Sequence, residues 1–133
     1  MPIIRQKMIY RDDLRANRNV LYIFGDNEAR VGLGGQAAEM RDEPNAIGVC
    51  TKHDPGRHPY SYYSDHHYDE NMVQIDKDLE IVWLHLMKGG VVVFPYAGIG
   101  TDRAEMPIRA PITYEKLSQR IKDMFDQFDV KSV

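Results

Sequence analysis

The chain has 133 residues, 43% hydrophobic and 28% charged, with a net charge of −3. That is one ordinary domain with enough apolar material for a core, which excludes disorder except over the last few residues. No block of like charge stands out, so the composition argues against an extended nucleic-acid surface, which needs concentrated Lys and Arg. A single cysteine, Cys50, excludes a disulfide framework and fits a reducing compartment. The opening residues mix Arg5 and Lys7 among apolar ones and do not read as a signal peptide. The longest clean apolar run, Val91 to Phe94, is far too short to cross a bilayer. The cytoplasm is the expected location.

In chain order, Ile3 to Ile9 reads as a first strand and Asp12 to Asn17 as a short helix. Val20 to Phe24 is an unbroken β-branched and aromatic run, ended by Gly25-Asp26-Asn27. A short helix starts near Gly35, carries Ala37, Ala38 and Met40, and stops before Pro44. Ala46 to Cys50 and Val91 to Phe94 are two more unbroken runs. Such runs suit strands buried on both faces of a parallel sheet. Met72, Ile75, Leu79, Val82, Trp83 and Leu86 repeat at helical spacing, with Asp69 as N-cap and Gly89-Gly90 as the stop. Leu117, Ile121, Met124, Phe125 and Phe128 form a last helical stripe behind Thr113. No repeat or linker divides the chain, so residues 1–133 are one domain. Strands alternating with helices predict a three-layer α/β/α sandwich around a mostly parallel sheet.

In such folds ligands sit beyond the carboxyl ends of the strands. Two glycine-rich loops lie there. The first joins Gly25-Asp26-Asn27 to Gly32-Leu33-Gly34-Gly35-Gln36-Ala37; the second is Gly98-Ile99-Gly100-Thr101. Glycines admit a ligand close to the main chain, and free N–H groups at such turns attract anions. Neither loop is a dinucleotide fingerprint or a Walker A sequence. Together they predict a pyrophosphate cradle.

The polar stretch from Lys52 to Asp69 holds His53, His58, His66 and His67 with Tyr60, Tyr62, Tyr63 and Tyr68. Adjacent residues such as Asp65, His66 and His67 rarely converge on one ion, and no zinc spacing recurs, so a polar covering loop is expected and no metal. Cys50 reads as a small core residue. No Ser-His-Asp order or nucleophile elbow is present.

Gly-Asp-Asn at a strand end followed by Gly-Gly-Gln-Ala resembles the first ligand loop of the macrodomains. Val-Val-Phe-Pro followed by Ala-Gly-Ile-Gly-Thr-Asp-Arg resembles the second. The likeness runs from about residue 18 to 128. Within that superfamily the chain is most similar to terminal ADP-ribose glycohydrolases, DNA ADP-ribosyl glycohydrolases and ADP-ribose 1″-phosphate phosphatases, and to small phage-encoded macro-like proteins. The matching features are Cys50-Thr51-Lys52 at the middle strand's end and Gly98-Ile99-Gly100-Thr101-Asp102-Arg103. The first loop lacks the longer glycine run of the superfamily, Gly25-Asp26-Asn27 stands where Asn-Ala-Ala-Asn is commoner, and the chain is short.

The resemblance implies a macrodomain-like fold that takes ADP-ribose, free or attached to a macromolecule, without a cofactor. It implies hydrolysis of an ADP-ribosyl linkage or of a 1″-phosphate, with Lys52 and Asp102 as the catalytic pair, and host cytoplasm as the setting if a phage encodes the chain. The ligand-binding set is Gly25, Asp26, Asn27, Gly34, Gly35, Gln36, Ala37, Thr51, Gly98, Ile99, Gly100, Thr101 and Arg103. Phosphates are expected against the N–H groups of Gly34, Gly35 and Ile99 to Thr101, and hydroxyls against Asp26 and Asn27. Lys52 and Asp102 are expected at the ends of neighbouring strands; Lys52 either attacks the distal ribose, which requires a neutral amine, or stays charged as a phosphate contact while Asp102 activates water. A non-catalytic ADP-ribose reader and a protein that sequesters a nucleotide signal are the alternative functions.

Overall fold

The computed structural model describes residues 2–133. Five strands form one sheet: β1 (Ile3–Gln6), β2 (Val20–Asn27), β3 (Ala46–Lys52), β4 (Val91–Pro95) and β5 (Val130–Ser132). Their order is β3-β2-β4-β1-β5, and every neighbouring pair is parallel. The helices are α1 (Arg11–Ala16), α2 (Ala37–Met40), α3 (Tyr68–Met87), α4 (Met106–Arg109) and α5 (Pro111–Gln127).

The unbroken apolar runs have the physical reason the sequence suggested, since both faces of the sheet are covered. On one face Ile3, Ile23, Val49, Val92 and Phe94 pack with Ile75, Leu79 and Val82 of α3 and Leu117 and Met124 of α5. On the other, Tyr22, Phe24 and Val93 pack with Leu14 of α1 and Ala37 and Met40 of α2. Side chains alternate between faces along β2 and β4, as strand geometry requires. Among the described residues no helix is long and apolar enough to cross a membrane.

Several boundaries differ from those expected. β2 runs through Gly25, Asp26 and Asn27, and β3 runs to Lys52, so these polar residues sit on the strands themselves. β1 stops at Gln6 rather than Ile9. α2 is a single turn that ends at Met40, well short of Pro44. The tail is ordered as β5, because Ile3, Ile4 and Arg5 offer a free edge to Val130, Lys131 and Ser132. Neither that short polar strand nor α4 carries a periodic signal.

α3 does not start at an Asp69 cap. It continues from a 3₁₀ turn, Asp65–His67, through Tyr68, and Asp69 lies in its first turn. Gly89, at φ +86°, closes it as expected. Asp65 instead serves α5. Its carboxylate accepts from the N–H groups of Ile112 and Thr113, each at 2.9 Å, and from the Thr113 hydroxyl at 2.7 Å. Pro111 at the head of α5 has no N–H to satisfy, so this one side chain answers the donors that follow it.

Burial acts to raise the Asp65 pKa, but the three donated hydrogen bonds outweigh it and hold the carboxyl below its ordinary value. Asp65→Ala is expected to cost about 1 kcal/mol of stability at neutral pH, measured by urea unfolding. A carboxyl with a depressed folded pKa stabilises above its unfolded value and loses that contribution as pH falls through the folded one. The gap between parent and variant should therefore shrink below about pH 4.

Candidate functional site

A cavity of about 380 Å³ opens at the carboxyl edge of the sheet, over β2 and between the loops that follow β2 and β4. The whole expected ligand-binding set and the Lys52–Asp102 pair line it: Gly25, Asp26 and Asn27 from β2, Gly34 to Ala37 from the first loop, Thr51 and Lys52 from β3, and Gly98 to Arg103 from the second. Lys7, Leu33, Arg41, Pro55 and Ala104, which sequence reasoning passed over, line it too.

The two loops face each other across a short gap. A Cβ on Gly34 would lie 3.0 Å from the guanidinium of Arg103, so that cation rests on bare backbone. A Cβ on Gly25 would meet Ile99, Thr51 and the main-chain nitrogen of Gly100 at 3.7–3.9 Å. Gly35, Gly98 and Gly100 take φ of +58°, +91° and +87°, a region other residues rarely enter. Among the described residues, the N–H groups of Leu33 to Gln36 and of Ile99 to Ala104 have no protein acceptor. Gln36, Ile99, Gly100 and Ala104 are buried or half-buried, where an N–H is seldom left without an acceptor; the others lie exposed along the loops, and runs of free N–H groups of this kind suit an anion.

The carbonyls at the start of the first loop are anchored. The Val31 carbonyl accepts from Asn27 Nδ2 at 2.8 Å and from Arg41 Nη2 at 3.2 Å; the Gly32 carbonyl accepts from Arg41 Nε at 2.7 Å. Arg41 in turn donates to Asp26 Oδ1 at 2.6 Å. The buried Asp26 carboxylate also accepts from the Asn27 N–H at 2.8 Å and from Arg30 at 3.4 Å. It lines the cavity with its oxygens already engaged. Asn27 is 7% exposed and its Oδ1 has no partner, as has Gln36 Oε1.

Lys52 and Asp102 do not end neighbouring strands, because β2 lies between β3 and β4. They approach the cavity from opposite sides. Lys52 is buried; its Nζ donates to the Gly56 carbonyl at 2.7 Å and lies 4.5 Å from the centre of the Tyr62 ring. Loss of hydration pulls its pKa down; Asp54 acts against this, and Arg57 with it. Asp102 sits exposed in the second loop.

The polar stretch after Lys52 folds outside the cavity except at Pro55. Tyr63 donates to Glu28 at 2.6 Å, and His53 Nδ1 lies 3.3 Å from the same carboxylate. His67 lies 3.5 Å from Glu70, and Asp65 caps α5. Among the described residues no group of three His, Cys, Asp or Glu is arranged to hold a metal.

Cys50 is fully buried, its N–H donating to Asp78 at 2.9 Å. Burial and then the Asp78 carboxylate push the thiol well above its ordinary range. A neutral buried thiol is a poor nucleophile. Native protein at pH 7 should resist a thiol reagent such as dithionitrobenzoate and release one equivalent only after denaturation; rapid native labelling would contradict this placement.

The molecule is thus an α/β protein with an all-parallel sheet and a glycine-lined cavity at the carboxyl ends of its strands. The chain belongs to a family of unknown function (DUF7831), whose model matches residues 4–120. No curated protein and no solved structure matches it.

Proposed function

We propose that the chain has a macrodomain-like fold, binds ADP-ribose or a derivative in this cavity, and hydrolyses it. The carrying observation is that two glycine loops, each following a parallel strand, line one cavity with N–H groups that have no protein acceptor, and Arg103 lies between them. That arrangement suits a pyrophosphate, whose charge backbone dipoles and one guanidinium stabilise without a metal ion. The unpartnered Asn27 Oδ1 is an acceptor for a sugar hydroxyl. In the reaction, water adds its hydroxyl to the distal ribose carbon or the 1″-phosphorus and its proton to the leaving group. Lys52 and Asp102 are the side chains assigned to it. One observation favours a non-catalytic reader instead: the Lys52 ammonium is already held by the Gly56 carbonyl.

The binding test is calorimetry with ADP-ribose, with and without a chelator. Gly34→Val removes the bare surface under Arg103 and should weaken affinity by at least about tenfold, a loss of roughly 1.4 kcal/mol. Arg103→Ala should weaken it similarly, and chelator should change nothing. Gly100 is a poor probe, because a Cβ there would lie 2.6 Å from Met106 Sδ in the core. Parental affinity in both variants would refute the cradle.

The catalytic test measures turnover of ADP-ribosylated protein, ADP-ribosylated DNA and ADP-ribose 1″-phosphate by Lys52→Ala and Asp102→Ala. A reacting pair loses turnover while keeping affinity. Parental protein that binds but turns over none of the three is a reader.

A further inference from the structure

We infer that Arg41, anchored on Asp26, is the positioning residue of the cavity: it sets the conformation of the first loop and does not bind the ligand's anion itself. This rests on the reading of the cavity as a ligand site, and it concerns how that site is built.

Arg41 lines the cavity, so the simple reading of a guanidinium there is a phosphate contact. Its bonding argues otherwise. Nη2 reaches Asp26 Oδ1 at 2.6 Å and Nη1 reaches Oδ2 at 3.3 Å, a two-pronged pair that neutralises the cation. Nε and Nη2 then donate to the carbonyls of Gly32 and Val31. The planar fork thus faces two ways, a carboxylate on one side and two successive carbonyls on the other. Its side chain is only 12% exposed, which leaves little surface for an incoming anion. By contrast, Arg103 lies over Gly34 at the gap between the loops.

Asp26 is held in turn. A Cβ on Gly48, two residues before the β3 partner of Asp26, would collide with the Asp26 side chain, so the carboxylate occupies space that a glycine leaves free. Arg30 donates to Asp26 at 3.4 Å, to the Gly48 carbonyl at 2.7 Å and to Asp78 of α3 at 2.7 Å. A continuous chain, Asp78–Arg30–Asp26–Arg41, therefore links α3 to the loop carbonyls. With the carbonyls of Val31 and Gly32 held by Arg41, the trans peptide plane turns the N–H groups of Gly32 and Leu33 away from it, which fixes how the loop enters its glycines.

The two roles predict opposite signs. If Arg41 contacted the anion, Asp26→Asn would free its charge and tighten binding, and Arg41→Lys would keep most of the affinity. As a positioning residue it needs both the anchor and the fork, so Asp26→Asn and Arg41→Lys should each weaken ADP-ribose binding by about tenfold. Both should also loosen the ligand-free loop. Backbone ¹⁵N order parameters at Leu33 to Gln36 should fall from about 0.85 toward 0.6, while those of β2 and β4 stay rigid.

Tighter binding by Asp26→Asn, retained affinity in Arg41→Lys, or an unchanged ligand-free loop in either variant overturns the inference. If Asp26→Asn fails to fold, Arg41→Lys decides alone. If the parental chain binds no ADP-ribose, the proposed function falls, yet the ligand-free order parameters still decide the role of Arg41.

Discussion

A single buried carboxylate, Asp26, organises the working edge of this protein. A charge taken out of water is tolerated only when paired and hydrogen-bonded, and Asp26 is paired on both sides. The pairing reaches further than a local balance of charge. Through Arg30 it extends to Asp78, and those two side chains occupy the free edge of β3: Arg30 donates to the Gly48 carbonyl while Asp78 accepts from the Cys50 N–H. An outer strand presents such groups to any passing chain. Here an ion pair answers them, and the same pair steadies the carboxylate that fixes Arg41. Edge protection and loop geometry are thus two ends of one network.

That network also explains why Arg30 accepts a left-handed backbone, at φ +57°. A non-glycine residue there carries a strain of order 1 kcal/mol or more, which the surroundings must outweigh. The Arg30 guanidinium makes three hydrogen bonds, to Asp26, Gly48 and Asp78, that hold the residue there. The turn it forms, with its N–H donating to the Asn27 carbonyl at 3.0 Å, starts the first loop in the direction Arg41 then secures.

The sheet and the loops were legible in the sequence for one reason: parallel strands buried on both faces must be apolar throughout, and chain that leaves their carboxyl ends must turn sharply. Val20 to Phe24, Ala46 to Cys50 and Val91 to Phe94 announced themselves by that rule, and the glycines after them marked the cavity. What stayed hidden was the spatial pairing. Nothing near Arg41 distinguishes it from the exposed arginines at 15 and 18, since its partner Asp26 lies on another element. Asp65 read only as part of a polar covering loop because sequence shows neighbours and not the start of α5, which is what its carboxylate meets. Lys52 and Asp102 looked adjacent because strand order cannot be read from a single chain; β2 inserted between them.

An acidic chain can still carry the anion site proposed for this cavity. The −3 net charge sets the distant field, but at contact distance the field is local. Around the cavity, Asp26 is paired with arginines, while N–H groups without protein acceptors and the Arg103 side chain line the walls. A site assembled from backbone has a second consequence. Short of proline, no substitution at a donor's own position removes its N–H, so such a site is tuned mainly through what holds the neighbouring carbonyls. In this fold that is the fork of Arg41, and the ion chain reaching from α3 across the edge strand is what keeps the fork in place.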